Sequence, residues 1–438
     1  MEFDYKNILI MGYGKSGQAV ETILKKLDGV SYKIFDADKK ITGGNYYAKL
    51  TKKLVRKFDL LIVSPGISVY NKFIVYAERV GIKVIGELEF GYWFTNSPVI
   101  AITGTNGKTT TTRLTENILS KKYDTGAYGN IGVPLSEAYN VEHDYLVCEV
   151  SSFQLETTCM FKPYISVLLN IAEDHIDRHK NFDNYIKCKL GLIKNCTEKS
   201  MVILNADDKI IMTETENIRA KKYYISQFGK VKGVYISDGK IYSNLKGVEE
   251  IISLNEINHL FGVLQDVLAS ILVAILLKIE KEDIIDAVRN FKMSPHRLEL
   301  VANKDNIKYI DDSKSTNIHS SLHALSTIKE KVILLLGGED KALDFTPIFK
   351  EYGNNIDTLV AFGSARKKII KTAEKCGGVE IKSAKSFAEA VKLACESAKE
   401  NNVVLLSPAC TSFDEFNSYV ERGEAFSKIV KRYINAKN

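Results

Sequence analysis

The run Thr103-Gly104-Thr105-Asn106-Gly107-Lys108-Thr109-Thr110 carries the residue types that grip a phosphate chain. It follows the apolar, β-prone Ile100-Ala101-Ile102 and precedes a helix-like stretch through Leu114 and Ile118. Backbone N–H groups of such a loop, and of the helix it opens, point at an anion. The Lys108 ammonium adds a mobile positive charge, and Thr109 offers a hydroxyl to Mg2+. Only Thr105 and Asn106 separate Gly104 from Gly107, so the loop is a shortened variant of the usual phosphate-binding spacing. The chemistry expected is nucleoside triphosphate binding.

Two clusters downstream suit the same chemistry. One is Glu149-Val150-Ser151-Ser152-Phe153-Gln154-Leu155-Glu156, the other Asn170-Ile171-Ala172-Glu173-Asp174-His175-Ile176-Asp177-Arg178-His179. Each follows an apolar run, so both leave strand C-termini on the side where the phosphate loop opens. Carboxylates and imidazoles there suit a divalent metal beside a triphosphate. Near the start, Gly12-Tyr13-Gly14-Lys15-Ser16-Gly17 follows a strand and Asp36 ends the next one. This matches the fingerprint in which glycines let backbone approach a pyrophosphate and an acid meets a ribose hydroxyl. An NAD site is one reading. A different nucleotide-diphosphate site is the better one, because a second nucleotide site follows. Ser64-Pro65-Gly66-Ile67 ends another strand, where such a sheet binds ligand, and a plain Pro-Gly turn is the alternative.

The elements that must hold these residues alternate in type. Short β-like runs at 7–11, 32–35, 60–63 and 83–85 are separated by helical ones, which implies βαβ units and a mostly parallel sheet. Residues 87–98, with Trp93, read as a connector. A second unit starts at Val99, continues through strands at 145–150, 165–170 and 202–205, and closes with an apolar helix over 263–277. Phe291-Lys292-Met293-Ser294-Pro295 reads as a linker, and strands at 307–311, 332–336, 358–362 and 403–406 form a third unit. The expectation is three α/β domains, over 1–93, 94–295 and 296–438.

Totals narrow the class. With 438 residues the chain exceeds one ordinary core. Its 60 Lys+Arg against 54 Asp+Glu leave +6, and the lysines are scattered beside acids without a nucleic-acid stripe. The seven cysteines show no Cys-x-x-Cys spacing and read as reduced thiols of a cytoplasmic protein. The first six residues lack a secretion-signal layout, and runs such as 268–279 are too short to span a bilayer, so no membrane insertion is expected.

Taken together, the motifs resemble the Mur ligase family. The shortened phosphate loop, the 149–156 run and Asp174-His175-x-Asp177-Arg178 carry the resemblance. So do His296-Arg297, Asp312-Ser313-Lys314-Ser315-Thr316-Asn317 and Gly337-Gly338-x-x-Lys341-x-x-Asp344-Phe345. The last is Leu406-Ser407-Pro408-Ala409-Cys410-Thr411-Ser412-Phe413-Asp414. They span nearly the whole chain in family order. The Ser-Ser-Phe-Gln-Leu-Glu and Ser-Pro-Ala-Cys runs are most similar to the D-glutamate-adding branch.

The resemblance implies an α/β fold of three domains: an N-terminal Rossmann-like domain for a UDP moiety, a central phosphate-loop ATPase-like domain with a mostly parallel sheet, and a C-terminal Rossmann-like domain. It implies a cytoplasmic, monomeric ligase using ATP and Mg2+ on UDP-N-acetylmuramoyl-L-alanine and D-glutamate. Gly14, Ser16, Asp36, Ser64, Gly66 and Asn130 would fall at the UDP substrate. Residues Gly104 to Thr110, with Arg297 and Asp312, would bind ATP. Lys108 would take the β/γ-phosphates, Thr109 and Glu149 one Mg2+, and His175 a second beside the reacting carboxylate. Lys189 matches a carbamylated lysine, whose carbamate turns a cation into an anionic oxygen ligand. Lys314, Thr316, Lys341, Ser412 and Phe413 would line the D-glutamate pocket.

Three departures stand against the family pattern. Leu264, Gln265 and Leu268 occupy the positions of a usual His, Asn and Asn, which alters adenine or ribose contacts from that helix. Ala37 and Asp38 replace the Thr-Arg that often follows the first-domain acid, and Lys15 is atypical. Hinges are expected near Pro98 and Pro295. A folylpolyglutamate-like or other Mur-type ligase shares the central motifs, and a nicotinamide enzyme built on the first glycine loop remains a different class.

Overall fold

The structure, a computed structural model, describes residues 3–38, 45–340 and 343–436, so the Lys341 expectation lies outside the described residues. Three sheets carry the fold. The first holds β1 (Asn7–Met11), β2 (Ser31–Phe35), β3 (Leu60–Val63) and β4 (Lys83–Gly86) in the order β2-β1-β3-β4, all parallel. Ile8, Leu9, Leu60 and Leu61 are fully buried, as expected where both faces of a parallel sheet are covered. The chain reverses direction across the sheet between β1 and β3, and a crevice opens beyond their C-terminal ends.

The second sheet contains β5 (Val99–Thr103), β6 (Thr125–Gly129), β7 (Tyr145–Glu149), β8 (Ile165–Leu168), β9 (Met201–Asn205), β10 (Lys221–Ser226), β11 (Gly233–Ser237), β12 (Lys240–Asn244) and β13 (Val248–Ser253). Its order is β13-β12-β11-β10-β9-β8-β5-β7-β6, which puts β5 between β8 and β7. Pairing is parallel from β6 to β11 and antiparallel through β12 and β13. The third sheet holds β14 (Glu299–Lys304), β15 (Ile307–Asp311), β16 (Val332–Gly337), β17 (Ile356–Phe362), β18 (Glu380–Ser383) and β19 (Val403–Ala409). Its order is β14-β15-β19-β16-β17-β18, with only the β14–β15 pair antiparallel.

The chain forms two compact units, one of Met1–Asn258 with Val263–Phe291, the other of His259–Gly262 with Lys292–Asn438. The first two sheets share the first unit. Among the described residues no single helix is long and apolar enough to cross a membrane.

Two differences from the sequence reading are instructive. The expected connector at 87–98 contains the helix Glu87–Trp93, which buries both acids of its first turn. Glu89 accepts the N–H groups of Cys159, Met160 and Phe161 at 2.7–3.0 Å, so a distant loop decides this helix. Strands β10 to β13 were hidden by lysines and glutamates on half-exposed positions. One signal was available: Asp238-Gly239 joins β11 to β12 as a two-residue loop with both φ positive, the geometry an Asp-Gly hairpin demands.

Candidate active site

The helix Lys108–Leu119 starts from Gly107 at φ +85°, a left-handed conformation that glycine adopts without penalty. A Cβ there would sit 2.1 Å from Asp266 Oδ1, so the loop also needs glycine for space. Four threonines in succession, Thr109 to Thr112, are poor helix formers. Tertiary packing compensates: Thr110, Thr111 and Thr112 are buried, and Thr115 Oγ1 donates to Ser270 Oγ on the apolar helix Leu264–Leu276 at 3.1 Å. Thr109 is half-buried at the start of this helix.

The loop itself is tied to the segment after β8. Thr105 N donates to Asn170 O at 2.9 Å, and Asn106 N to Asn170 Oδ1 at 2.8 Å. Thr105 Oγ1 meets Ala172 and the Tyr185 hydroxyl, each at 3.0 Å. Lys108 Nζ folds back on the carbonyls of Gly104 and Thr105, both at 2.8 Å. Lys189 Nζ donates to the same Gly104 carbonyl at 2.7 Å from complete burial. Two amines on one carbonyl cannot both carry charge cheaply in a dry site. Burial first, then the Lys108 charge, push the Lys189 amine well below the ordinary lysine range. Asp174 and Glu149 pull the other way, which shows these charges converging on one place.

Glu149 ends β7, beside the loop, and is 2 % exposed. Its Oε1 accepts Asn130 Nδ2 at 2.7 Å, while Oε2 is buried with no hydrogen-bond partner among the described residues. An orphaned buried carboxylate oxygen fits a cation. His175 has φ +54°, rare for a non-glycine residue, and its ring lies 4.8 Å from that of Phe153.

The first crevice forms a cavity of ≈ 500 Å³ lined by the residues named from sequence: Gly14, Ser16, Asp36, Ser64 and Gly66. Asp36 Oδ2 accepts Tyr13 N at 2.6 Å, and Ser64 Oγ donates to Gly12 O at 3.0 Å, so the acid and the hydroxyl fasten the glycine turn. Asn130 is not among the lining residues; it belongs instead with Glu149.

In the second unit the loops after β15, β16 and β19 lie at adjacent strand ends. Asp312 is buried, accepts Ser407 Oγ at 2.8 Å and Ser315 Oγ more closely, and burial raises its carboxyl to about 6. Arg297 lies between His296 and Leu298, both at positive φ, and its Nε is buried without a hydrogen-bond partner among the described residues. Arg422, fully buried, donates to Ser313 O at 2.9 Å and Cys410 O at 3.0 Å, binding the Lys314–Thr316 turn to the Ser412–Phe413 loop. Lys314 Nζ lies 5.7 Å from the Tyr419 ring centre, Thr316 is half-buried, Ser412 is buried, and Phe413 is 63 % exposed.

Comparison with known proteins decides the family. A profile described as the Mur ligase middle domain matches residues 102–264, and one described as the Mur ligase glutamate ligase domain matches 296–410. The UDP-N-acetylmuramoylalanine--D-glutamate ligase of Thermoanaerobacter sp. (strain X514) is 37% identical, over 98% of this chain and 99% of its own. The chain belongs to the Mur ligase family. The protein of the same name from Clostridioides difficile (strain 630) is 35% identical over 97% of this chain and 98% of its own. Solved structures share the fold: the pseudomurein peptide ligase type C from Methanothermus fervidus has a TM-score of 0.63 at 18% identity, covering 98% of this chain and 100% of that one. The MurF ligase of Thermotoga maritima, in complex with ADP, has a TM-score of 0.61 at 16% identity over 99% and 96%.

The departures of this Mur ligase take a definite form. Leu264 and Leu268 are buried in the core, and Gln265 Nε2 donates to Leu169 O at 2.7 Å. Sequence reading missed Asp266, Tyr185 and Arg422. A lone acid in an otherwise apolar helix marks Asp266. The spacing of four from Lys189 puts Tyr185 on the same helix face, and its ring centre is 4.9 Å from Lys189 Nζ. Nothing local marks Arg422.

Proposed function

We propose that this Mur ligase joins the amine of D-glutamate to the carboxylate of UDP-N-acetylmuramoyl-L-alanine, using ATP, in cytoplasmic synthesis of peptidoglycan precursors. The observation that carries the reading is the match along nearly the whole of both chains to relatives named for that reaction. The carboxylate oxygen attacks the γ-phosphorus and ADP leaves, giving an acyl phosphate. The amine then attacks the acyl carbon, and the tetrahedral intermediate expels phosphate as the amide forms and the amine gives up its proton. Phosphorylation replaces an oxide, which cannot leave, by a phosphate, which can.

In this reading the loop Gly104 to Thr110 holds the triphosphate and Lys108 neutralises charge on the β- and γ-phosphates. Thr109, Glu149, His175 and Lys189 would hold Mg2+, which would supply charge neutralisation for the triphosphate. The depressed basicity of Lys189 supports its part: a neutral amine adds to CO2, releasing one proton and leaving a carbamate oxygen as ligand. Gly14, Ser16, Asp36, Ser64 and Gly66 hold the UDP group, with Asn130 nearer the metal. Arg297 and Asp312 serve the nucleotide from the second unit, and Lys314, Thr316, Ser412 and Phe413, with Lys341, the amino acid. The domains are 1–93, 94–295 and 296–438, and the chain works as a monomer.

A coupled assay of phosphate release with UDP-N-acetylmuramoyl-L-alanine and a panel of D- and L-amino acids tests this. D-Glutamate-dependent release is expected. Release with another acceptor transfers the chain to a different ligase of the family, and none with any acceptor overturns the reading.

A further inference from the structure

Arg178 joins features that the reaction keeps apart in sequence. Its Nε and Nη2 hold both oxygens of Glu156, at 2.6–3.3 Å, and the two side chains are only 11% and 8% exposed. The rest of the guanidinium faces another sheet. Nη1 donates to Gly66 O at 3.3 Å, and Nη2 to Pro65 O at 3.2 Å and Ile67 O at 2.8 Å. Those carbonyls belong to the loop after β3 that walls the ≈ 500 Å³ cavity. On its flat face the guanidinium sits 4.8 Å above the Phe153 ring, and that ring is 4.8 Å from His175. A second tie runs the same way: Lys180 Nζ lies 3.4 Å from the centre of the Tyr70 ring.

We propose that Arg178 is a positioning residue that fastens the wall of the first cavity to the Phe153 ring and, through it, to the His175 imidazole, so that one ion pair sets both. The proposal rests on the UDP and metal roles assigned above. Only arginine has this combination: a planar fork that meets a carboxylate twice, spare N–H groups for the carbonyls, and a face that stacks on an aromatic ring. Lysine, a single point charge, cannot make all three contacts. Because Glu156 takes the charge, the guanidinium offers its remaining N–H groups to carbonyls without leaving a buried charge unpaired.

The test uses the full chain and three variants. With Arg178→Lys, calorimetric affinity for UDP-N-acetylmuramoyl-L-alanine, measured without ATP, should fall by about ten-fold or more. The Mg2+ concentration for half-maximal turnover should rise together with it, and the KM for D-glutamate should stay unchanged. Glu156→Gln should move the same two quantities in the same direction and by less. Phe153→Leu removes the ring shared by the guanidinium, His175 and His179 and leaves the contacts of Arg178 with Glu156 and the β3 loop carbonyls in place, so it should raise the Mg2+ requirement and leave UDP-substrate affinity as it was. A variant Arg178→Lys that melts earlier yet keeps both quantities overturns the proposal, as does a Phe153→Leu variant that moves both or neither. An unmodified chain without turnover or UDP-substrate binding overturns the site reading instead, so the two failures are told apart.

Discussion

Lys108 and Lys189 share one carbonyl acceptor and differ in burial. Lys108 is half-exposed at the loop, whereas Lys189 is entirely buried and held as a weak base. Replacing Lys108 by Ala should leave the fold intact and lower phosphate release by about 10²-fold or more, the cost of removing a preorganised charge from a transition state. Lys189 separates stability from activity. Its folded pKa is depressed, so at neutral pH the unfolded chain binds the extra proton, and stability rises with pH toward the ordinary lysine range. In bicarbonate-free buffer Lys189→Met should therefore stabilise the chain in denaturant melts at pH 7, and flatten that rise. The same variant should lose turnover, and added bicarbonate, which should raise the activity of the CO2-depleted parent, should not restore it. A parent indifferent to bicarbonate would count against the carbamate.

The helix Glu87–Trp93 shows how an element is decided by what it touches. Glu89 accepts three backbone N–H groups from 159–161 and the Trp93 indole N–H. Glu89→Ala should destabilise the chain by about 3 kcal/mol or more in chemical denaturation, because several buried donors lose their acceptor at once. Glu87, two residues earlier in the same first turn, is a buried acid with one oxygen on Ser136 N at 2.7 Å and the other without a partner among the described residues. Burial lifts its carboxyl from 4.5 to about 7. The folded chain therefore holds the extra proton between those values, and this residue's contribution to stability falls as pH rises through them. Glu87→Gln should reduce that fall, measured as the slope of unfolding free energy against pH.

Across the whole chain, the residues proposed to act on ATP are divided between two compact units, each with its own core. The phosphate loop and Glu149 stand at the ends of adjacent parallel strands of the first unit, β5 and β7. A non-hydrolysable ATP analogue with Mg2+ at about 100 times its Kd should add roughly 2.7 kcal/mol to unfolding. Calorimetry should show this shift in the parent chain, and Lys108→Ala, which keeps the fold, should lose the shift. An analogue that shifts the parent and the Lys108→Ala variant equally would remove the phosphate loop from nucleotide binding.

Short-range signals in the sequence determined the parallel strands β1, β3, β5 and β16, because buried parallel strands read as unbroken apolar runs. They also determined the phosphate loop and the glycine turn of the first crevice, where backbone geometry restricts which residues fit. Lys189 as a weak base, the orphaned oxygen of Glu149 and the reach of Arg178 and Arg422 were decided by tertiary structure alone. Burial, shared acceptors and shifts in charge are properties of neighbours, and neighbours a hundred residues apart are set by packing, which leaves no mark on local residue spacing.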